Sequence, residues 1–292
     1  MKMRLLLSTL FFFVILCGSY GEESPAPDLL RVMTFNVRNS AADDGANHWK
    51  SRKELFKETV RKFDPDLLGL QEVLADQHDE IAAMLPDYTM VGVARDDGVR
   101  KGEWSAILYR TARFEHRRSG DFWLSESPGE PGKKAWDAAC VRICTWSALK
   151  DRVTGKELLH ANTHFDHQGR QAQINSSALI LDQLSRLGGE NAAVILTGDF
   201  NCTETDEAYH VLTRPSSSAG LRLIDSYRVV HPVQSPDEAT FHGFKGKTTG
   251  SRIDWILHTG HFQPLSASII RNTSERPASD NYPVTTVLKR AP

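Results

Sequence analysis

Polar clusters interrupt this sequence at the points where apolar runs stop. Asn36 follows VMTF, Gln71 and Glu72 follow LLGL, Asn162 and His164 follow LLHA, and Gly198-Asp199-Phe200-Asn201 follows VILT. Asp254 lies inside RIDWIL, and Ser279-Asp280-Asn281-Tyr282-Pro283 precedes VTTVL. Polar groups gathered at the ends of buried strands commonly line a cleft. Carboxylates, amides and imidazoles in one cleft supply the means of acid–base catalysis and of charge stabilisation. Taken singly, each has an ordinary role as well: Asn36 as a turn residue, Glu72 and Asp280 as caps, His164 as a satisfied core histidine.

The elements that must position these residues are legible from hydrophobic period. Strands are expected at 29–37, 66–73, 88–94, 104–110, 140–149, 158–165, 193–197, 221–225, 252–257, 267–271 and 284–289. Trp49 to Phe63 reads as a helix with Leu55, Phe56, Val60 and Phe63 on one face, stopped by Asp64-Pro65. A short helix runs to Leu85, and a long one over 169–187 has Ile174, Ala178, Leu181 and Leu184 at helical spacing. A further helical stretch falls near 206–212, and 125–134 reads as a long loop. Strands outnumber helices without strict alternation. That argues against a barrel or a doubly wound sheet and for an α/β four-layer sandwich, two mixed β-sheets face to face with helices on the outer faces.

Composition narrows the function classes. The chain has 292 residues, 40% hydrophobic and 25% charged, which excludes collagen-like, disordered and low-complexity proteins. Lys2 and Arg4 followed by the apolar run Leu5 to Cys17 have the layout of an export signal, with Ser19 and Gly21 as the small residues before a cut. The run is too short for a membrane span. The expectation is a signal peptide over 1–21, one domain over 22–292, and a secreted or periplasmic location. A lipoprotein anchor through Cys17 is disfavoured by the bulky Leu16. Net charge is −2 and no dense Lys/Arg block occurs, which argues against tight nonspecific binding of long duplex nucleic acid. Cys140, Cys144 and Cys202 remain after the signal, an odd number. Cys140 and Cys144, four apart on one expected strand, are too distant for a disulfide.

In order and approximate spacing over residues 29–289, the clusters resemble the endonuclease/exonuclease/phosphatase superfamily, the deoxyribonuclease I-like phosphoesterases. FN36, QE72, NTH164, GD199FN201, RID254 and SD280N281YP carry the resemblance. ADDGANHW, GEWSAILY, FWLSESP, KAWDAACVRICTW and FHGF look like its secreted bacterial branch. A phosphate ester is an anion that resists attack, so hydrolysis requires neutralised oxygens, an oriented water and a stabilised leaving group. The resemblance implies Glu72 as the principal ligand of Mg²⁺ or Mn²⁺, with Asn36 and Asp280 completing or supporting the site. It implies that Asp199 orients or deprotonates water, that Asn201 holds a nonbridging oxygen, and that His164 contacts the phosphoryl group or acts as an acid. Arg142 and His167 are candidates for substrate binding, the former on a strand expected to border the cleft.

One departure stands out. The family places His after Ser-Asp, where this chain has Asn281, so Asp254 meets an amide in place of the imidazole it would orient. Asn can donate a hydrogen bond but cannot carry a proton or positive charge. His242 in TFHGF is the candidate substitute. The leading expectation is a secreted, metal-dependent phosphoesterase of a phosphodiester or phosphomonoester. An extracellular nuclease is the first alternative, and a non-catalytic phosphate-binding module the second.

Overall fold

The structure is a computed structural model and describes residues 28–189, 191–214, 221–271 and 276–291. The segment 1–21 read as a signal, with Cys17, lies outside the described residues. From Leu29 the chain forms β1 (Leu29–Asn36), α1 (Trp49–Phe63), β2 (Leu67–Gln71), α2 (Ala75–Met84), β3 (Tyr88–Val91), β4 (Ile107–Arg110) and β5 (Phe114–Trp123). Then follow β6 (Ile143–Asp151), β7 (Glu157–His164), α3 (Arg170–Gly188), β8 (Val194–Asp199), α4 (Glu207–Thr213) and β9 (Ile224–Asp225). The last are α5 (Ser226–Val230), β10 (Asp254–His258), β11 (Phe262–Ile269) and β12 (Val284–Arg290). The strands make two six-stranded sheets, ordered β11-β12-β1-β2-β4-β3 and β5-β6-β7-β8-β10-β9. Each is mixed, with one parallel pair at its centre, β1 with β2 and β7 with β8.

Alternation along the central strands explains the layers. On β1, Met33 and Phe35 face an outer core with Trp49, Phe56 and Val60 of α1 and Ile81 of α2. On β8, Val194 and Leu196 face the opposite outer core with Ile180 and Leu184 of α3 and Leu212 of α4. The residues between them point toward the other sheet and change character along the strand. Val32 and Ile195, with Leu158 of β7, belong to an apolar cluster between the sheets. Thr34, Thr197 and Asn162 come next and are fully buried. Asn36, Asp199 and His164 end the strands.

The middle layer is a hydrogen-bonded tie between sheets. Asn162 Nδ2 donates to the carbonyls of Leu70 and Ala106 at 2.8 and 2.9 Å, while its Oδ1 accepts from Gln71 Nε2 at 2.7 Å and Thr197 Oγ1 at 3.0 Å. The sheets approach so closely here that a Cβ on Gly69 would overlap Thr197 Oγ1 and Asn162 Oδ1. Burial of these bonded atoms is tolerable because they are paired, whereas Gln71 Oε1 is buried without a partner among the described residues.

Several elements depart from expectation. Strand β5, FEHRRSGDFW, was not foreseen: it is a bulged edge strand whose centre carries exposed charge, so no apolar alternation marks it. The expected strands at 88–94 and 104–110 shorten to β3 and β4, with Trp104 making isolated bridges to Val73 and Ala94. Expected strand 140–149 begins only at Ile143, and the segment 125–134 is irregular as expected. On α3 the buried stripe is Ala172, Gln173, Ser176, Ser177, Ile180 and Leu184, and Ala178 is exposed. The helix is rotated from the apolar reading because Gln173 turns inward, donating to the carbonyls of Asp166 and Asn201. Cys140, Cys144 and Cys202 are all unpaired. No helix among the described residues is long and apolar enough to cross a membrane.

Candidate active site

Topology brings the strand-end residues to one edge. In the parallel pairs Asn36 is in register with Gln71, and His164 with Asp199, so both pairs end together. Antiparallel β10 begins there, with Asp254 directly opposite Asp199. Antiparallel β12 also begins there, since Val284 pairs with Thr34, and Asp280 and Asn281 lie just before it. The result is a cleft of about 350 Å³ lined by residues of both sheets, among them Asn36, Glu72, His164, Asp199, Asn201, Asp280 and Asn281. Glu72 and Asn201 have φ of 62° and 49°, left-handed values that turn each side chain back over the strand end it follows.

Asn36 organises the acidic half. Its Nδ2 donates to Glu72 Oε1 at 3.0 Å and to Asp199 Oδ2 at 2.9 Å, while Oδ1 accepts from the Arg38 amide. Glu72 Oε2 accepts from the backbone and side chain of Asn39 at 3.1 and 2.9 Å. Burial and the neighbouring Glu72 push the Asp280 carboxyl up to about 7. Burial likewise raises Asp199, against the hydrogen bonds from Asn36 and the Asn201 amide. Arg52 on α1, fully buried and missed in the sequence, supports this half from below. It donates to the carbonyls of Val37, Arg38, Asn47 and Ala278, tying together the segments that carry Arg38 and Asp280.

Asn281 bridges the second pair of acids. Its Nδ2 stands 3.0 Å from Asp254 Oδ2 and 3.3 Å from Asp199 Oδ2. Asp254 Oδ1 is buried and has no partner among the described residues. Burial and then Asp199 hold the Asp254 carboxyl well above the usual carboxylate range. Across the cleft, Asn201 Nδ2 lies 2.9 Å from His164 Nε2 and donates to the Phe165 carbonyl at 3.0 Å. Burial, then the charges of Arg142 and Arg95, hold His164 well below its usual value, so the imidazole is neutral at neutral pH.

A basic wall faces the acids. Arg142 precedes β6, is 6% exposed, and has Nη2 3.3 Å from His167 Nδ1. Arg95 hydrogen-bonds Glu103, whose Oε2 lies 3.9 Å from His164 Nδ1. Arg38, Asn39, Arg95 and Glu103 line the cleft and were not read from the sequence. They sit in loops, where no hydrophobic period marks them. Phe241 at the rim is 54% exposed and bridges to Asn281.

His242 is placed differently from the expectation. Its ring stacks on Tyr282 at 4.0 Å, is 2% exposed, and is not among the residues lining the cleft. Burial pushes it down to about 4. The backbone explains this: the amides of His242 and Gly243 both donate to the Asp280 carbonyl, and the ring packs beneath them.

The donor set fits a hard divalent cation. Glu72, Asp280 and Asn36 offer oxygens, and Asp280 is raised by burial and by Glu72 although Arg38 Nε lies 3.7 Å from its Oδ2, so the site gathers more negative charge than its own arginine offsets. A second cluster, Cys140, Asp166 and His167, has ligand atoms within 4.8 Å of one another. Its Asp166 carboxylate is already engaged by the amides of Cys140, Gln168 and Gly169, and Arg142 stands beside it.

The model of the Endonuclease/Exonuclease/phosphatase family matches residues 33–280. The structure superposes on a Bacteroides thetaiotaomicron mannosyl-6-phosphatase with a TM-score of 0.80 at 37% identity, covering 89% of this chain and 99% of that one. The chain is 25% identical to Xenopus laevis nocturnin, over 90% of this chain and 71% of that protein. It is 23% identical to an uncharacterised protein of Acanthamoeba polyphaga mimivirus, over 84% of this chain and 42% of that protein, so it spans less than half of that relative's length. On the family match and these likenesses, the chain belongs to the endonuclease/exonuclease/phosphatase family.

Proposed function

We propose that the protein is a secreted or periplasmic, divalent-metal-dependent phosphoesterase that hydrolyses small phosphate esters. The observation that carries this reading is the convergence of Asn36, Glu72, Asp199, Asn201, His164 and Asp280 in one cleft. The likeness to a mannosyl-6-phosphatase supports a small substrate. Glu72 and Asp280, with Asn36 beside them, would hold Mg²⁺ or Mn²⁺, whose charge neutralises nonbridging oxygens and the departing alkoxide. Asn36 fixes the Glu72 and Asp199 carboxylates relative to each other. Asp199, raised by burial, orients the attacking water and accepts its proton. The neutral His164 orients Asn201, whose amide gives up one of its two hydrogen bonds to reach a nonbridging oxygen, and supplies no proton. The water oxygen bonds phosphorus, the ester P–O bond breaks, and the leaving oxygen takes its proton from solvent, since Asn281 has none to give.

Phosphate release from a panel of sugar phosphates, nucleotides, plasmid and RNA tests this reading. Release from small esters with plasmid and RNA intact supports it. Digestion of plasmid or RNA in preference to small esters establishes the nuclease alternative, and phosphate binding without turnover establishes the binding module.

A further inference from the structure

The cations lining the cleft are not equally provided for. Arg38 hydrogen-bonds Asp44 at 3.0 and 3.1 Å, and Arg95 hydrogen-bonds Glu103. Arg142 has no hydrogen-bonded carboxylate among the described residues. The carboxylate near it, Asp166, lies 3.7 Å from Nε and spends its oxygens on backbone amides. Nε and Nη1 of Arg142 are buried without a hydrogen-bond partner. Nη2 has only His167 Nδ1, at 3.3 Å. An arginine keeps its charge in such a place, and a buried donor left unmatched is costly, so the position is built for an anion that arrives with the substrate. Arg142 lines the same cleft as His164 and Asp199.

Resting on the phosphoesterase reading above, we infer that Arg142, with His167, is the subsite that makes the cleft selective for the terminal, doubly charged phosphoryl group of a phosphomonoester. A diester phosphorus carries two nonbridging oxygens sharing one negative charge. A monoester carries three, with nearly twice the charge near neutral pH. The acidic half with its cation, and Asn201 with His164, account for the oxygens that both classes share. The additional oxygen of the monoester is the one that needs a further cationic donor, and of the three cleft arginines Arg142 is the one whose guanidinium hydrogen-bonds no carboxylate among the described residues, although Arg95 Nε is likewise without a partner. Arg142 is only 6% exposed, so the second ester arm of a diester packed against it would meet a buried charge.

The test compares 4-nitrophenyl phosphate with methyl 4-nitrophenyl phosphate, which share a leaving group, using the full chain, Arg142→Gln and Arg142→Lys in Mg²⁺. The expected result is a wild-type preference for the monoester and a ~10–100-fold loss of its kcat/KM in Arg142→Gln, with the diester rate changed much less. Arg142→Lys, which keeps charge and bulk, guards against a folding failure and should lose monoester rate selectively. Equal losses on both esters, or no loss, overturn the inference. Calorimetric titration with inorganic phosphate in Mg²⁺ separates it from the wider reading. If the wild type hydrolyses neither ester yet binds phosphate ~10-fold tighter than Arg142→Gln, the enzyme reading fails and the anion subsite stands. Equal phosphate binding by both proteins overturns the subsite.

Discussion

Asn281 donates its side-chain amide to Asp254 at 3.0 Å, occupying the place between Asp254 and Asp199 where the family pattern puts histidine. An amide satisfies two acceptors geometrically and leaves the charge of two facing carboxylates uncompensated. Burial holds both carboxyls above their usual range, with Glu72 adding to the rise at Asp199 and Asp199 to the rise at Asp254. An imidazole in that position would be charged by those acids and could neutralise the transition state. Asn281→His should therefore raise kcat, by about 10²-fold if it restores a proton donor or a charged clamp. Steady-state rates across pH check this, and an unchanged or lower rate contradicts it.

The raised Asp280 carboxyl would couple the proposed metal site to stability. The folded value is about 7 against the usual 3.8, so the folded state holds the proton more tightly than the unfolded chain. Stability from this group is present below the unfolded value and is lost as pH rises through about 7. A divalent cation on the carboxylates relieves the cost of ionisation. Saturating Mg²⁺ should raise the thermal midpoint more at about pH 8 than at about pH 5, in line with the metal's preference for deprotonated ligands. An equal or larger gain at the lower pH would count against this assignment.

His242 makes the opposite contribution. Its folded value of about 4 lies below 6.5, so its stability is present above 6.5 and lost as pH falls toward 4. His242→Phe keeps the stack on Tyr282 and removes the titrating group. Thermal melts of that variant should fall less than the wild type between those two values, and activity above pH 7 should be retained. A parallel decline in both proteins would show that the ring is not buried as described.

Much of this architecture was legible because strand ends carry it. Asn36, Glu72, His164, Asp199 and Asp254 all terminate or begin a strand, so apolar period and polar interruption located them together. Asn162 and Gln71 shared the same signal but form the tie between sheets, a distinction that depends on which face the residue takes and on the close approach at Gly69. Arg95 and Glu103 lie in a charge-rich loop and Arg38 in a polar one, and only the tertiary fold selects the residues that meet the cleft. His242 was misplaced for a related reason: proximity in sequence to rim residue Phe241 says nothing about the direction of its ring. Strand β5 escaped notice because an edge strand needs no apolar face on its exposed stretch.

The tie itself has a measurable cost of removal. Asn162→Leu would leave Gln71, Thr197 and the carbonyls of Leu70 and Ala106 without their partner between the sheets. Chemical denaturation should show a loss of about 3 kcal/mol, the size expected when buried polar groups are orphaned. A loss below about 1 kcal/mol would show that the groups find other partners.

The central claim is that Glu72 anchors a metal-assisted phosphoesterase. Its most direct test is the rate of 4-nitrophenyl phosphate hydrolysis by the wild type and Glu72→Ala, each titrated with Mg²⁺ and then with chelator. The account expects a wild-type rate that saturates with Mg²⁺ and disappears with chelator, and a folded Glu72→Ala protein reduced at least ~10²-fold. A rate indifferent to chelator, or one that survives in Glu72→Ala, would contradict it.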